Sequence, residues 1–302
     1  MAKNSVAGAG NIIRLYVGAL PRGSRTKPVV NTLEADAAIA TITTTTAFSA
    51  EAGTLAVSAL AVGLAAGDQL LFSNGCLVQV TATAAAAATS VSIKVLRMPP
   101  NYNDTLVPIP SGSTSKVILL TAGVTNPIGA GTPILWSGGS LVRVGGDVVA
   151  GSLILSIIPP TTGYTVAVAL GETGTYTALE RIEGSTDAPL NLTPNRSDFV
   201  LHRDPLGYRE GTITSQTGSI AVTANLLDDD MARLIVEYVS TYSIEGRELY
   251  CVADYKDDHY EFIGQVSDYQ RPSPADGILT VTFTLNMQGA PLVHSSKKVS
   301  VG

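Results

Sequence analysis

The sequence predicts a mainly β protein: an antiparallel β-sandwich or barrel with one flanking α-helix, interrupted by an inserted all-β region of two repeated small units. Three observations predict it. Short β-branched runs alternate with Gly, Pro and Asn turns along most of the 302 residues. Only one segment has a helical period. A stretch in the middle of the chain also resembles another stretch 64 positions further on.

Charge marks the boundaries. Only 15% of residues are charged, and they are unevenly placed. Residues 1–40 carry five basic and two acidic groups, residues 41–171 four of each sign, and residues 172–302 ten basic and nineteen acidic. A neutral Ala/Thr/Val/Gly-rich middle between two charged flanks reads as an insertion. We therefore expect one discontinuous domain, 1–19 with 173–302, and an inserted region, 20–172, with repeats at about 52–97 and 116–160.

The repeat is read directly from the residues. Ala66-Gly67 through Val80 aligns with Ala130-Gly131 through Val144, identical at eight of fifteen positions. After a two-residue slip, Ser90–Leu96 lies over Ser152–Ile158. Each copy has an Ala-Gly turn, an apolar run, a second Gly-containing turn and another apolar run, which is the pattern of a hairpin.

In the flanks, Asn11–Val17 and Tyr176–Glu183 are β-rich runs expected to be neighbours in one sheet. Gly184–Tyr208, with Pro189, Pro194 and Pro205, reads as a long polar loop, and Gly211–Ala224 as a strand. The helix is expected over Asp228–Val239. Asn225 would cap it with Asp228 at the third helical position, and Met231, Leu234, Ile235 and Tyr238 would form its buried stripe. Glu248–Tyr255 and Tyr260–Val266 flank the polar turn 256–259 as a hairpin. In the last strand, Leu279, Val281, Phe283, Leu285 and Met287 alternate with Thr280, Thr282, Thr284 and Asn286, giving one apolar face and one wet face.

Chemistry is sparse. His202, His259 and His294 are scattered without a metal-ligand spacing, and no Gly-x-Ser-x-Gly elbow precedes a helix. Gly8-Ala-Gly10 and Gly129-Ala-Gly131 lack the rest of a phosphate loop. Asp228-Asp229-Asp230 points in too many directions for a calcium loop, and Asp254, Asp257 and Asp258 read as solvated hairpin charges. No catalytic residue, metal or cofactor is expected, so the chain does not read as an enzyme. Cys76 and Cys251 read as buried small hydrophobes in a reduced compartment. The opening residues lack the apolar block of a secretory signal, and Leu55–Ala66 is too short and broken for a membrane span. With a net charge of −6, few aromatics and no basic stripe, sequence-specific DNA binding is disfavoured.

The order of elements in the flanks, from Asn11–Val17 through Tyr176–Gly184, the segment reaching Gly207-Tyr208-Arg209-Glu210-Gly211, the acidic-capped helix, the 256–259 hairpin, Gly264-Gln265-Val266 and the alternating last strand, resembles the phage tail tube proteins. These are the major tail proteins of long-tailed bacterial viruses. The resemblance covers about half the chain, and the repeated middle would be an insertion between the first two strands. It implies a virion protein assembled in the host cytoplasm into hexameric rings, stacked as a tube through which viral DNA passes without specific binding. Its other partners would be tail proteins: a terminator, a baseplate or tip and, in contractile tails, a sheath. The resemblance makes Arg196, His202, Arg203, Asp204 and Tyr208 inter-ring or inter-subunit contacts, and leaves the Thr280, Thr282, Thr284 and Asn286 face to line a wet lumen. A different virion β protein, namely a terminator, baseplate component or capsid decoration, is the alternative within the same class. A carbohydrate-binding or adhesive module is the alternative outside it, although the repeat region offers only Trp136, Tyr102 and Tyr164 as sugar platforms.

Overall fold

The computed structural model describes residues 14–99, 102, 108–159, 167–200, 209–225, 230–255, 258–271 and 280–295. Its first twelve strands are β1 (Arg14–Ala19), β2 (Leu33–Glu34), β3 (Ala40–Thr43), β4 (Thr54–Ala56), β5 (Gln69–Leu71), β6 (Leu77–Val80), β7 (Ser90–Arg97), β8 (Thr114–Leu119), β9 (Pro133–Trp136), β10 (Leu141–Arg143), β11 (Ile154–Ser156) and β12 (Thr173–Thr175). There follow β13 (Glu180–Arg181), β14 (Ser185–Asp187), β15 (Leu190–Val200), β16 (Arg209–Asn225), α1 (Met231–Thr241), β17 (Leu249–Tyr255), β18 (Asp258–Gln270), β19 (Thr280–Met287) and β20 (Leu292–Ser295). The fold is mainly β with antiparallel pairing and, among the described residues, one α-helix, as the alternation predicts.

The chain divides into two compact units. Unit one comprises the residues up to Val17 and those from Glu180 onward; unit two is Gly18–Leu179.

Unit two holds three small sheets, ordered β4-β7-β6-β5, β11-β8-β3 and β10-β9-β12-β2. The sequence repeat is a repeat of backbone hydrogen bonds at a constant 64-residue offset, so the two-residue slip read from the sequence is corrected: Thr81 N–H donates to Ser92 O as Gly145 N–H donates to Ser156 O. Gly67 N–H donates to Val80 O at 2.8 Å, and Gly131 N–H to Val144 O at 2.8 Å. Phe72 bonds Cys76 and Trp136 bonds Ser140 across the same turn; Leu60 bonds Ala88 as Val124 bonds Ser152. The turn glycines need their missing Cβ, since φ is +91° at Gly75 and +88° at Gly139, a left-handed region costly for other residues. Two cores fill unit two: one around Leu55, Leu70, Phe72 and Val78 that also takes Val117, Leu119 and Ile154 from the second repeat, the other around Ile118, Ile134, Trp136 and Val142.

Unit one is built on a nine-stranded sheet ordered β13-β1-β17-β18-β19-β16-β14, with β15 also on β16 and β20 also on β18. Tyr16 pairs with Arg181 and Val17 with Glu180, so the strand entering unit two lies beside the strand leaving it. The tip of the β17–β18 hairpin closes between Tyr255 and Asp258. Alternation in β19 buries Val281, Phe283 and Leu285, and α1 packs on β18 and β13. Gly264 belongs under this core because an added Cβ would stand 2.8 Å from Cys251 Sγ.

Three local expectations are corrected. The supposed loop from Gly184 contains β14 and the eleven-residue β15. Pro194 misled because proline weakens a strand reading, yet it is tolerated on a strand with a partner on one side, and β15 pairs only with β16 among the described strands. Asn225 is not the helix cap: it ends β16, paired with Thr280. The cap is Asp230, whose carboxylate Oδ1 accepts the Arg233 N–H at 3.1 Å, and Asp228 lies outside the described residues. The helix therefore starts later than expected, and its buried stripe is Ala232, Ile235, Val236 and Val239, joined by Tyr238. Met231 and Leu234 are only half-buried. A helix apolar over so wide an arc satisfies the same period in two registers.

Candidate assembly surface

The sheet of unit one has two unlike faces. Residues paired across antiparallel strands share a face, so Ser219, Ala221 and Thr223 on β16 join Asn286, Thr284 and Thr282 on β19. Gln265 and Ser267 on β18 extend the same rows. Thr280, Thr282, Thr284 and Asn286 are half-buried in the chain, and their neighbours saturate part of the polar surface. Asn286 Nδ2 donates to Ser267 Oγ at 2.8 Å, and Ser267 in turn donates to Asp268 Oδ2 at 2.9 Å. The opposite face holds Ile220, Val222, Phe262, Val266, Phe283 and Leu285, all buried.

Toward the β17–β18 tip the polar face becomes ionic. His259 Nδ1 lies 2.5 Å from Asp254 Oδ1, while its Nε2 lies 3.0 Å from Glu261 Oε1. The other Glu261 oxygen accepts the Tyr250 hydroxyl proton. Bonding to Glu261 and Asp254 raises the His259 pKa above the ordinary imidazole value, with partial burial opposing it. Burial and the adjoining Glu261 carboxylate push the Tyr250 phenol up to about 12. The network therefore favours a protonated His259 between two carboxylates. Among the described residues no cluster of three or more suitable metal ligands occurs.

This network was missed in the sequence, where Asp254 reads as a solvated hairpin charge. The signal that finds it is the register: Asp254 pairs with His259, and Tyr250 lies diagonally from Glu261. Of the other site expectations, Arg196 sits on β15 with its backbone opposite Ile213. His202, Arg203, Asp204 and Tyr208 lie outside the described residues. Cys76 and Cys251 are buried free thiols, and burial raises both, Cys76 to about 12. No helix among the described residues is long and apolar enough to cross a membrane.

No family model matches the chain, and no curated protein matches it. Among solved structures, part of the chain is similar to the tail of an empty gene transfer agent particle with C6 symmetry, at 13% identity and a TM-score of 0.35, covering 39% of this chain and 88% of that one. It is also similar to a chain of the native gene transfer agent virion, at 13% identity and a TM-score of 0.34, covering 39% of this chain and 89% of that one.

Proposed function

We propose that this protein is a structural subunit of a phage-type virion tail, and that unit one assembles copies of itself into hexameric rings stacked as a tube for DNA passage. The observation that carries the reading is the two-faced sheet. One face is apolar and buried, and α1 packs on the sheet at β18 and β13, while the other face presents ordered rows of Thr, Ser, Asn and Gln from three adjacent strands. Such a face suits a wet wall: it hydrogen-bonds water without the positive charge that would hold phosphates. The acidic balance of residues 172–302 adds weak repulsion toward a passing duplex. Among the described strands β15 pairs on one side only, and a self-assembling subunit closes such an edge by pairing.

In this reading the rows through Thr282 and Thr284 face the lumen, and Arg196 lies at a contact between subunits. Tail terminator, tip and sheath proteins would be the further partners. Negative-stain electron microscopy of the purified chain over a concentration series tests the proposal. Hollow tubes or stacked six-fold rings are expected. A chain that stays monomeric at high concentration, with and without other tail proteins, overturns it, and a single ring that never stacks moves the assignment to a terminator.

A further inference from the structure

Between β1 and β2 the chain carries a cationic loop that its own fold holds in place. Residues 21–32 contain Arg22, Arg25 and Lys27 and no acidic residue, whereas residues 41–171 carry four charges of each sign. Both ends of the loop are pinned. Arg22 N–H donates to Asp147 Oδ2 at 3.0 Å, and Ser24 N–H closes a turn on Pro21 O at 2.9 Å. At the far end Asn31, 4% exposed, donates from Nδ2 to Asn126 O at 2.9 Å and accepts the Asn126 N–H on Oδ1 at 2.6 Å. The Tyr176 hydroxyl donates to Val29 O at 3.4 Å beside it. What lies between stands in solvent: the side chains of Arg22, Arg25 and Lys27, followed by Val29 and Val30 at 53% and 50% exposure.

Unit one carries the opposite surface. Among the described strands β20 pairs only with β18, and its Leu292 and Val293 are 62% and 52% exposed. Leu292 stands opposite Glu261, on the face that also holds His259 and Asp254, and Val293 stands opposite Tyr260. The 254–261 segment has Asp254, Asp257, Asp258 and Glu261 against Lys256 and His259. Apolar side chains thus lie beside acidic ones here, as they lie beside basic ones on the loop.

We propose that the 22–30 loop of one copy docks on the β20 edge of a second copy, with Val29 and Val30 against Leu292 and Val293 and the cations against the carboxylates of the 254–261 hairpin. The inference rests on the reading of this chain as a self-assembling subunit. Charge complementarity selects the occupant, because residues 172–302 hold nineteen acidic against ten basic groups, so a second copy supplies the required sign. A nucleic acid would match the cations and leave the two valines unused. A membrane surface would call for Trp, Phe or Leu, and residues 21–32 contain none. Since the loop is already ordered, docking costs little further chain entropy. Loop and strand are different surfaces, so the contact is heterologous and repeats from copy to copy.

Disulfide trapping in the full chain tests the contact, the native cysteines being buried. Val29→Cys and Leu292→Cys chains are purified separately, then oxidised alone and as an equal mixture, so that only links between molecules are scored. Ile244→Cys, at a site 96% exposed, is the control. The mixture should yield the 29–292 link at least about tenfold above 29–29, 292–292 or any link to 244. Raising the salt from about 0.05 M to about 0.5 M should cut that yield roughly fivefold. Adding Arg22→Gln with Arg25→Gln should cut it likewise, whereas Arg22→Lys with Arg25→Lys should keep it. Equal yields for all pairings, or a 29–292 link indifferent to salt and to these charges, overturn the proposal. Sedimentation with anionic phospholipid vesicles covers the other source of negative charge: binding that Arg22→Gln with Arg25→Gln abolishes, without a 29–292 link, also overturns it. Electron microscopy of the same samples keeps this contact apart from the tube reading. Tubes without the link sink only the contact, and the link in particles that never form tubes sinks only the tube.

Discussion

The first and second repeats of unit two teach that one backbone tolerates two surfaces. Their turns, bridges and hydrogen bonds coincide at a 64-residue offset, yet Leu71 is buried and Leu135 is not. What a strand residue contributes is therefore decided by the neighbour across the face, not by its place in the strand. The local pattern specifies the hairpin, whereas packing specifies the energy.

The sharpest way to break the comparison is to truncate matched leucines. Leu71→Ala removes a fully enclosed side chain and should cost about 3 kcal/mol, whereas Leu135→Ala should cost well under about 1 kcal/mol. Trp136, the only tryptophan and a buried one, reports both in a urea titration by fluorescence. Equal losses would show that Leu135 is already covered in solution.

A second pair probes the segment of the second repeat that packs on the first. An added Cβ at Gly146 would meet the Gln69 Cβ at 2.6 Å, so Gly146→Ala should destabilise by roughly 1–3 kcal/mol. The matched change Ala82→Gly, at an exposed site, should fall within about 0.5 kcal/mol of the parent in the same titration.

A smaller effect concerns a turn in which the copies differ. Gly151 has φ +85° and its counterpart Ala87 has φ +64°. Ala87→Gly relieves left-handed strain at the expense of unfolded-chain entropy, and Gly151→Ala imposes the strain, so melting temperatures should rise slightly for the first and fall for the second, each by about 1 kcal/mol or less in stability.

The smallest effect lies in unit one and depends on pH. Because the folded state raises the His259 pKa, the protonated imidazole contributes stability in full below the unfolded value near 6.5 and loses it as pH rises through the folded value. Melting curves from pH 6 upward should show this loss, and His259→Gln should flatten it. NMR titration of the imidazole should place its midpoint above that of an ordinary histidine. A midpoint at or below the ordinary value would remove the ionic reading of the Tyr250–Glu261–His259–Asp254 network.

These contrasts also explain what was legible beforehand. The mainly β class, the helix, the β17–β18 hairpin and the wet alternation of β19 follow from periodicities that act within a few residues. The strand β15 was hidden because Pro194 weakens a local strand reading, and only the partner β16 overrides it. The cap read at Asn225 lies at Asp230 instead, because Asn225 is held at the end of β16 by its pairing with Thr280, a contact across many residues. The His259 network and the unequal burial of Leu71 and Leu135 depend on register and on contacts across many residues, for which a single sequence has no local signal.

The antiparallel pairing of Val17 with Glu180 has a bearing on the order of folding. Within unit two, Gly18 and Ala178 are in contact range, an added Cβ at Gly18 standing 2.3 Å from the Ala178 carbonyl oxygen. If unit two were still a loose coil of roughly 160 residues, joining β1 to β13 would forfeit about 4.5 kcal/mol of chain entropy. Once unit two has folded, its own ends already stand side by side and that cost has been met. Unit two then acts as a clasp for unit one: a molecule whose middle collapses first brings β1 and β13 together without that further loss of chain entropy.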